Sequence, residues 1–409
     1  MHIAVPDEIR LYPGEKRIAV TPQTAEKLIS KGARITIESG LGSAFGVSND
    51  DFKAAGAEIS DDASALLADA DLVLRVRQPF TEHVECLKKG AIQISFLDPF
   101  NNIDLVRRIA AQDVSAISME MIPRTTRAQK MDALSSQANL AGYSTVIIAA
   151  ERLSKVFPMM MTPAGTINPV RVFIIGVGVA GLQAIATAKR LGARVEAFDT
   201  RPVVAEQVQS LGAKFVKIDL GDTGQTKDGY AKELTPEQLE RQRQGMAKVC
   251  ANADVVITTA QLFGRPAPRI VTADMIRKMR PGSIIVDMAV ESGGNVEGSE
   301  PDKEVDINGV CIIGLGNLPS RTAFHASQVY ASNIFNMIDE YWDVEAKSFK
   351  LDRDDEIIQG CLITHGGEIV NDRIKELAAD ESKPVKPSAV LKIAREPGLK
   401  IGNDAPNAP

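Results

Sequence analysis

The chain has few of the residues on which much protein chemistry depends. Its 409 residues include four histidines, four cysteines and one tryptophan. Cys86, Cys250, Cys311 and Cys361 are widely scattered, with no CxxC pair and no metal-ligand spacing. They fit a reducing, cytoplasmic compartment, and no metal centre is expected. No apolar run reaches the ~18 residues of a membrane-spanning helix. The richest stretch, FPMMMTPAGTINPVRVFIIGVGVAGLQ, is broken by prolines, an arginine and glycines. The opening MHIAVPDEIRLYPGEKRIAV lacks the basic region and apolar block of a signal peptide. A basic excess is also missing: 47 basic residues face 53 acidic ones, for a net charge of −6. That argues against a nucleic-acid surface.

What is present is apolar, 44 % of the chain, in a length that suits two or three domains. In the first 125 residues HIAVP, ARITIE, DLVLRV, AIQISFL and VSAISMEM read as strands. TPQTAEKLISKG and NNIDLVRRIAAQ read as helices, capped by Thr21 and by Asn101 or Asn102. This alternation implies a parallel sheet covered on both faces. Residues 135–155 have helical spacing, begin with serines suited to capping, and are expected to link two lobes. A second α/β series runs through RVFIIGVG, ARVEAFD, AKFVKID, DVVITTA, SIIVDMA and GVCIIGLG. SRTAFHASQVYASNIFNMIDEYW then reads as a long helix carrying the chain back to the first lobe, and CLITHGGEIV as one more strand pair. The expected fold is α/β: two Rossmann-like, doubly wound parallel-sheet domains joined by long helices. Residues 1–134 plus 323–375 form the first domain and 135–322 the second. Residues 376–409, polar and proline-bearing, are expected to be a flexible tail.

The second series opens on VFIIGVGVAGLQ, with Gly176, Gly178 and Gly181 in a GxGxxG pattern after an apolar strand and at the start of a helix. The first glycine permits a tight turn, the second lets backbone approach a pyrophosphate, and the third lets helix pack on strand. The helix start offers free N–H groups to phosphates. Asp199 ends the next strand, where a carboxylate accepts from a ribose 2′-hydroxyl and repels a 2′-phosphate, favouring NAD over NADP. Arg201 complicates that choice, since an arginine there can take a phosphate.

A self-sufficient dehydrogenase needs a proton donor or acceptor beside the hydride. None of His2, His83, His325 and His365 lies at a strand end next to the fingerprint. Asp287 and Glu291 follow a buried strand, where a catalytic role and a capping or turn role both fit. Hydride moved directly between two nicotinamide rings needs only positioning. RAQKMDALSSQ, residues 127–137, is either such a polar lining or a solvated connection. LGDTGQTKDGYAKELTPEQ, with one isolated tyrosine, is either a lid or an exposed loop.

MIPRTTRAQKMDALSSQANLAGY, FPMMMTPAGTINPVRVFIIGVGVAGLQAIATAKRLGA, DGYAKEL, ITTAQLFGRPAP and DMAVESGGN together resemble the NAD(H)-binding domain of the alpha subunit of proton-translocating nicotinamide nucleotide transhydrogenases, over about residues 1–375. Alanine dehydrogenase is the more distant relative. The resemblance implies a homodimer that binds NAD(H) and docks on membrane and NADP(H)-binding partner subunits. Hydride would pass between the two cofactors, coupled to proton translocation, on the cytoplasmic face of the inner membrane. It implies nicotinamide-side contacts from Arg124, Gln129, Asp132 and Ser135, with a weaker claim for Arg127 as a cofactor contact. Val179 would lie close to the cofactor beside the glycine turn, and Asp199, Thr200 and Arg201 at the adenosine ribose. A mobile loop would carry Gly229 and Tyr230, with Gln242 a further cofactor-side position. Gln261 stands where the family often has an aliphatic residue.

The departures separate the two relatives. Alanine dehydrogenases use an arginine near the N-terminus, a lysine after an early strand and a histidine after the next. Here these positions read Arg17, Arg75 and no histidine within IQISFLDPF. The absence of membrane helices after residue 375 suggests the split arrangement, with the transmembrane part on another polypeptide. The alternatives are a stand-alone amino-acid dehydrogenase of the alanine type and a non-catalytic NAD-sensing module.

Overall fold

The structure, a computed structural model, describes residues 1–9, 12, 14–221, 223 and 234–379. The first series is β1 (His2–Val5), α1 (Pro22–Ser30), β2 (Arg34–Glu38), α2 (Asn49–Ala54), β3 (Glu58–Ser60), α3 (Ala63–Ala68), β4 (Leu72–Leu74), α4 (Thr81–Cys86), β5 (Ile92–Ser95), α5 (Ile103–Ala111) and β6 (Ser115–Ser118). Strands β1 and β4 are fully apolar at their centres: Ile3, Ala4, Leu72, Val73 and Leu74 are completely buried. Such runs suit a sheet covered by helices on both faces. Thr21 caps α1, accepting from Thr24 N, with Pro22 in the first turn. Asn102 precedes α5 but does not cap it. Its carboxamide donates instead to the carbonyls of Leu97 and Asp98, and Ile103, Val106 and Ile109 turn the helix onto the sheet.

The chain then crosses over through α6 (Ala133–Arg152). Serines do not cap this helix, contrary to expectation. Asp132 does, one residue before its start. An exposed hairpin follows, β7 (Met160–Thr162) and β8 (Gly165–Ile167), which the sequence pattern does not announce. The second series is β9 (Arg171–Ile175), α7 (Val179–Arg190), β10 (Arg194–Phe198), α8 (Ala205–Ser210), β11 (Lys214–Phe215), α9 (Pro236–Asn252), β12 (Val255–Thr258), α10 (Ala273–Arg277), β13 (Ile284–Asp287), β14 (Lys303–Ile307) and β15 (Val310–Gly314). Helix α11 (Ala323–Glu340) returns to the first sheet. It is followed by β16 (Trp342–Asp343), β17 (Ser348–Phe349), α12 (Glu356–Cys361), β18 (Leu362–His365), β19 (Glu368–Ile369) and α13 (Asp372–Ala379). The expected tail begins at residue 376. Helix α13 extends to Ala379, and residues 380–409 lie outside the described residues.

Both sheets have the doubly wound order. The second runs β11-β10-β9-β12-β13-β15-β14, and the first runs β19-β18-β6-β5-β4-β1-β2-β3. Each is parallel except at one edge, where β14 pairs antiparallel with β15 and β18 with β6. In such sheets the strand order reverses beside the first strand, and ligands bind there, outside the carboxyl ends of the strands. In the second sheet that point lies between β9 and β12.

Candidate functional site

The GxGxxG turn lies at this reversal point. Gly176 has φ +98, and a Cβ there would lie 2.5 Å from Thr259 Oγ1. A Cβ on Gly181 would lie 2.0 Å from the Gly176 carbonyl oxygen, so α7 packs on β9 only because that position is bare. Gly178 is different. It caps α7, is exposed, and a Cβ would meet nothing within 4 Å. This is the open side from which a pyrophosphate can reach the backbone. The first turn of α7 carries no acidic residue to compete for its free N–H groups. Val179, 38 % exposed, stands at the opening.

At the far end of β10, the Asp199 carboxylate accepts from Val177 N at 2.7 Å and from Arg201 N at 2.9 Å. Arg201 Nε and Nη2 each donate to it at 2.9 Å. The arginine is thus turned toward its own carboxylate, and Nη2 also reaches the Val177 carbonyl at 3.1 Å. The Thr200 carbonyl accepts from Thr223 Oγ1 at 2.7 Å. Gln242 is buried on α9, and exposed Gln261 donates to the Met288 carbonyl at 3.3 Å. Gly229 and Tyr230 lie outside the described residues.

The polar stretch that opens α6 folds as a fastened loop. Ala128 and Met131 are buried in the first core and anchor it. Asp132 accepts from Ser135 N at 2.9 Å and Ser135 Oγ at 2.6 Å. Gln129 is exposed, and its carboxamide makes no hydrogen bond to the described residues. Arg127 faces Asp355, with Nη2 2.5 Å from its carboxylate. Arg124 and Asp132 line a cavity of about 450 Å³, together with Glu120, Met121, Phe263 and Asn371. Phe263, from the loop after β12, stacks edge-on against Phe100 of the first series, 5.2 Å between ring centres, so both sheets contribute to this cavity.

Helix α6 joins the two ends of the site. A Cβ on Gly142 would lie 2.2 Å from the Ala180 carbonyl, which places α6 directly against the first turn of α7. Ser135 stands seven residues earlier on α6, about 10 Å along its axis. The phosphate turn and the polar loop are therefore tied to one rigid element.

Acid–base groups are not found in this cleft among the described histidines. His2 bonds the Asp69 carbonyl and Thr36, His365 bonds Ser115, and His325 is exposed on α11. His83 Nδ1 pairs with Arg75 Nη2 at 3.0 Å, and burial together with that guanidinium brings the imidazole down to about 4. Asp287, fully buried, accepts from Thr258 Oγ1 and from Ala289, Asn295 and Val296 N–H groups, which is a structural role. Glu291 accepts from Asn317 N. No cluster with metal-binding chemistry occurs among the described residues.

A buried polar network around Arg17 has no counterpart in the sequence analysis. Arg17 donates to Glu15 through Nε and Nη2, to Gln137 Oε1 at 2.9 Å and to Asn317 Oδ1 at 3.1 Å. Burial alone would raise the Glu15 carboxyl, but Arg17 and Arg77 outweigh it and bring it down to about 2. The resemblance matches Arg17 to the arginine of alanine dehydrogenases, and in this chain Glu15 binds its guanidinium. No local pattern reports a contact spanning 300 residues.

Two family models match the chain: Alanine dehydrogenase/PNT, N-terminal domain, over residues 4–141, and Alanine dehydrogenase/PNT, C-terminal domain, over residues 145–372. The first segment of the NAD(P) transhydrogenase alpha subunit of Rhodospirillum rubrum is 44 % identical over 378 residues, covering 91 % of this chain and 98 % of that protein. The crystal structure of transhydrogenase from Sinorhizobium meliloti is 40 % identical with a TM-score of 0.81, over 90 % of this chain and all of that one. Alanine dehydrogenase of Halomonas elongata is more distant, 27 % identical over 92 % of this chain and 96 % of its own length. No helix of the described residues is long and apolar enough to cross a membrane. The chain belongs to the alanine dehydrogenase/PNT family, and within it stands with the transhydrogenase alpha subunits.

Proposed function

We propose that this chain is the NAD(H)-binding subunit of a proton-translocating transhydrogenase, and that hydride passes directly between NADH in its cleft and NADP+ on a partner subunit. The observation that carries this reading is the coupling of two features by α6: a phosphate-accepting glycine turn and a polar loop about 10 Å along the helix. The bound cofactor supplies the hydride, and the chain's own residues hold and orient it. The backbone of Gly176–Gly181 and the α7 N-terminus receive the pyrophosphate, and Asp199, Thr200 and Arg201 the adenosine ribose. Arg124, Gln129, Asp132 and Ser135 orient the nicotinamide end, and none of them has to exchange a proton during transfer. Orientation of this kind is worth about 7–11 kcal/mol in well-aligned systems.

The partners in this reading are a membrane subunit and an NADP(H)-binding beta subunit, with this chain peripheral on the cytoplasmic face of the inner membrane. The subunit names of the relatives support an assembly of several chains. Self-association into a homodimer is supported by exposed apolar side chains on α6 and the β7–β8 hairpin: Tyr143, Ile147, Met160 and Met161, the last 83 % exposed. Residues 1–134 with 323–375 form one unit of this machine, and 135–322 the NAD-binding unit.

The test is to mix the full chain and NADH with its NADP(H)-binding partner carrying an NADP+ analogue, and to follow reduction of the analogue by absorbance. Tight NADH binding without exchange sinks the reading. Reduction of NAD+ by alanine with no partner present would place the chain on the dehydrogenase side of its family.

A further inference from the structure

The loop that opens α6 is fastened to α11 and to the start of α12. Arg127 Nη2 lies 2.5 Å from both oxygens of Asp355. Asp355 accepts in addition from Tyr341 Oη at 2.7 Å and, as the cap of α12, from Ile357 N at 2.8 Å. Burial would raise the Asp355 carboxyl, but the bonds from Tyr341 and Arg127 hold it below its ordinary value. Burial and the bond to Asp355 push the Tyr341 hydroxyl up, so it remains a donor. A second fastening lies three residues on. Lys130 Nζ is 2.7 Å from Glu340, and its carbonyl accepts from Asn333 and Asn336 of α11, each at 3.0 Å. Gln129 stands between the two fastened residues, exposed and with no bond from its carboxamide to the described residues.

We propose that Asp355 and Tyr341 are positioning residues for hydride transfer, acting through Arg127 to hold Gln129 and Asp132 in register with the cofactor. This rests on the transhydrogenase reading above. The arrangement assigns Arg127 away from the cofactor: its guanidinium is a clasp, and the residues it orients make the contact. The clasp has little to do with overall stability, because Arg127 is a surface side chain, and exposed ion pairs contribute little to folding. Its effect falls on geometry, where a 1 Å misplacement of reacting groups costs about a hundredfold in rate. One nitrogen makes both contacts to Asp355, so a lysine ammonium can replace the guanidinium.

The experiment uses the full chain assembled with its partner subunits. Arg127→Met and Tyr341→Phe leave the α12 cap intact, and Asp355→Asn keeps a capping side chain. Arg127→Lys is the rescue. For each, NADH affinity is measured by fluorescence titration, hydride transfer by single-turnover absorbance, and exchange of the amides of residues 125–131 by mass spectrometry. Arg127→Met is expected to slow transfer about tenfold with NADH affinity within about twofold of wild type, and to speed amide exchange in the loop. Arg127→Lys should recover most of the rate. Wild-type transfer and wild-type loop exchange in Arg127→Met overturn the clasp, as does an equal loss of affinity and rate, which would make Arg127 a cofactor contact. A wild-type assembly that transfers no hydride overturns the functional reading alone, and loop exchange in the variants then still decides whether the clasp exists.

Discussion

Ser135 donates both its backbone N–H and its hydroxyl to the Asp132 carboxylate, at 2.9 and 2.6 Å. The aspartate that lines the cavity is therefore also the cap of α6. Asp132→Asn keeps an oxygen for the Ser135 N–H and should stay within about 0.5 kcal/mol of wild-type stability. It removes the carboxylate that the proposed function sets beside the nicotinamide, and transfer should fall about tenfold. Melting curves and single-turnover rates separate the two roles, and an unchanged rate would leave Asp132 with capping alone.

Gln129→Asn shortens an exposed carboxamide that has no partner among the described residues. Stability should not change. Transfer should slow while NADH affinity stays nearly intact, because the shorter side chain disturbs ring placement more than binding. If rate and affinity drop together, the residue binds rather than orients.

Asp199→Ala removes the acceptor expected for the adenosine ribose and should weaken NADH binding by about 1–3 kcal/mol. It also releases the Arg201 guanidinium from its carboxylate, so NADPH should bind more tightly than to wild type. Titration with both cofactors checks this, with Asp199→Ala/Arg201→Ala as control. That double variant should lose the gain.

Gly181→Ala drives a methyl to within 2.0 Å of the Gly176 carbonyl oxygen. The backbone has to shift, α7 moves off β9, and stability should fall by about 1–3 kcal/mol. NADH binding should be lost in the same variant. A stable Gly181→Ala protein with wild-type affinity would contradict the packing described for the turn.

Glu15 gives the fold an acid limit. Its folded-state value, about 2, lies below its ordinary 4.5. The stability it contributes is thus present above pH 4.5 and is lost as pH falls through about 2, a swing of about 3 kcal/mol. Glu15→Gln should flatten that part of the stability–pH curve. At neutral pH the variant should be less stable by about 3–5 kcal/mol, since it leaves Arg17 buried without its carboxylate. Chemical denaturation from about pH 2.5 to neutrality measures both effects.

The glycine turn, Asp199 and the two long helices are legible in the sequence because their signals are local: spacing, caps and apolar runs within a few dozen residues. Strand β3, with three residues, and helices α2 to α4, with six each, are too short to present a period. The start of α6 misleads because its serines are good caps in general, while Asp132, one residue outside the helix, makes the bond. Both sheets are mixed at one edge, since strand direction depends on where the chain returns. No local pattern signals that Arg127 pairs with Asp355, because the two lie 228 residues apart. The Arg17–Gln137–Asn317 network is invisible for the same reason. Long-range polar pairing leaves no periodic trace in a chain.

The antiparallel edge of the first sheet bears on how the chain is made. Strand β6 is complete by residue 118, but β18, which pairs with it, emerges about 250 residues later. At about 5–20 residues per second, the ribosome leaves that strand margin unpaired for roughly 10–50 s. The second sheet, contiguous in the chain, can close within that interval. Bare strand margins are where chains adhere to one another. The nascent protein thus passes through a window in which its later-made half can be folded while its earlier-made half still waits for its last two strands.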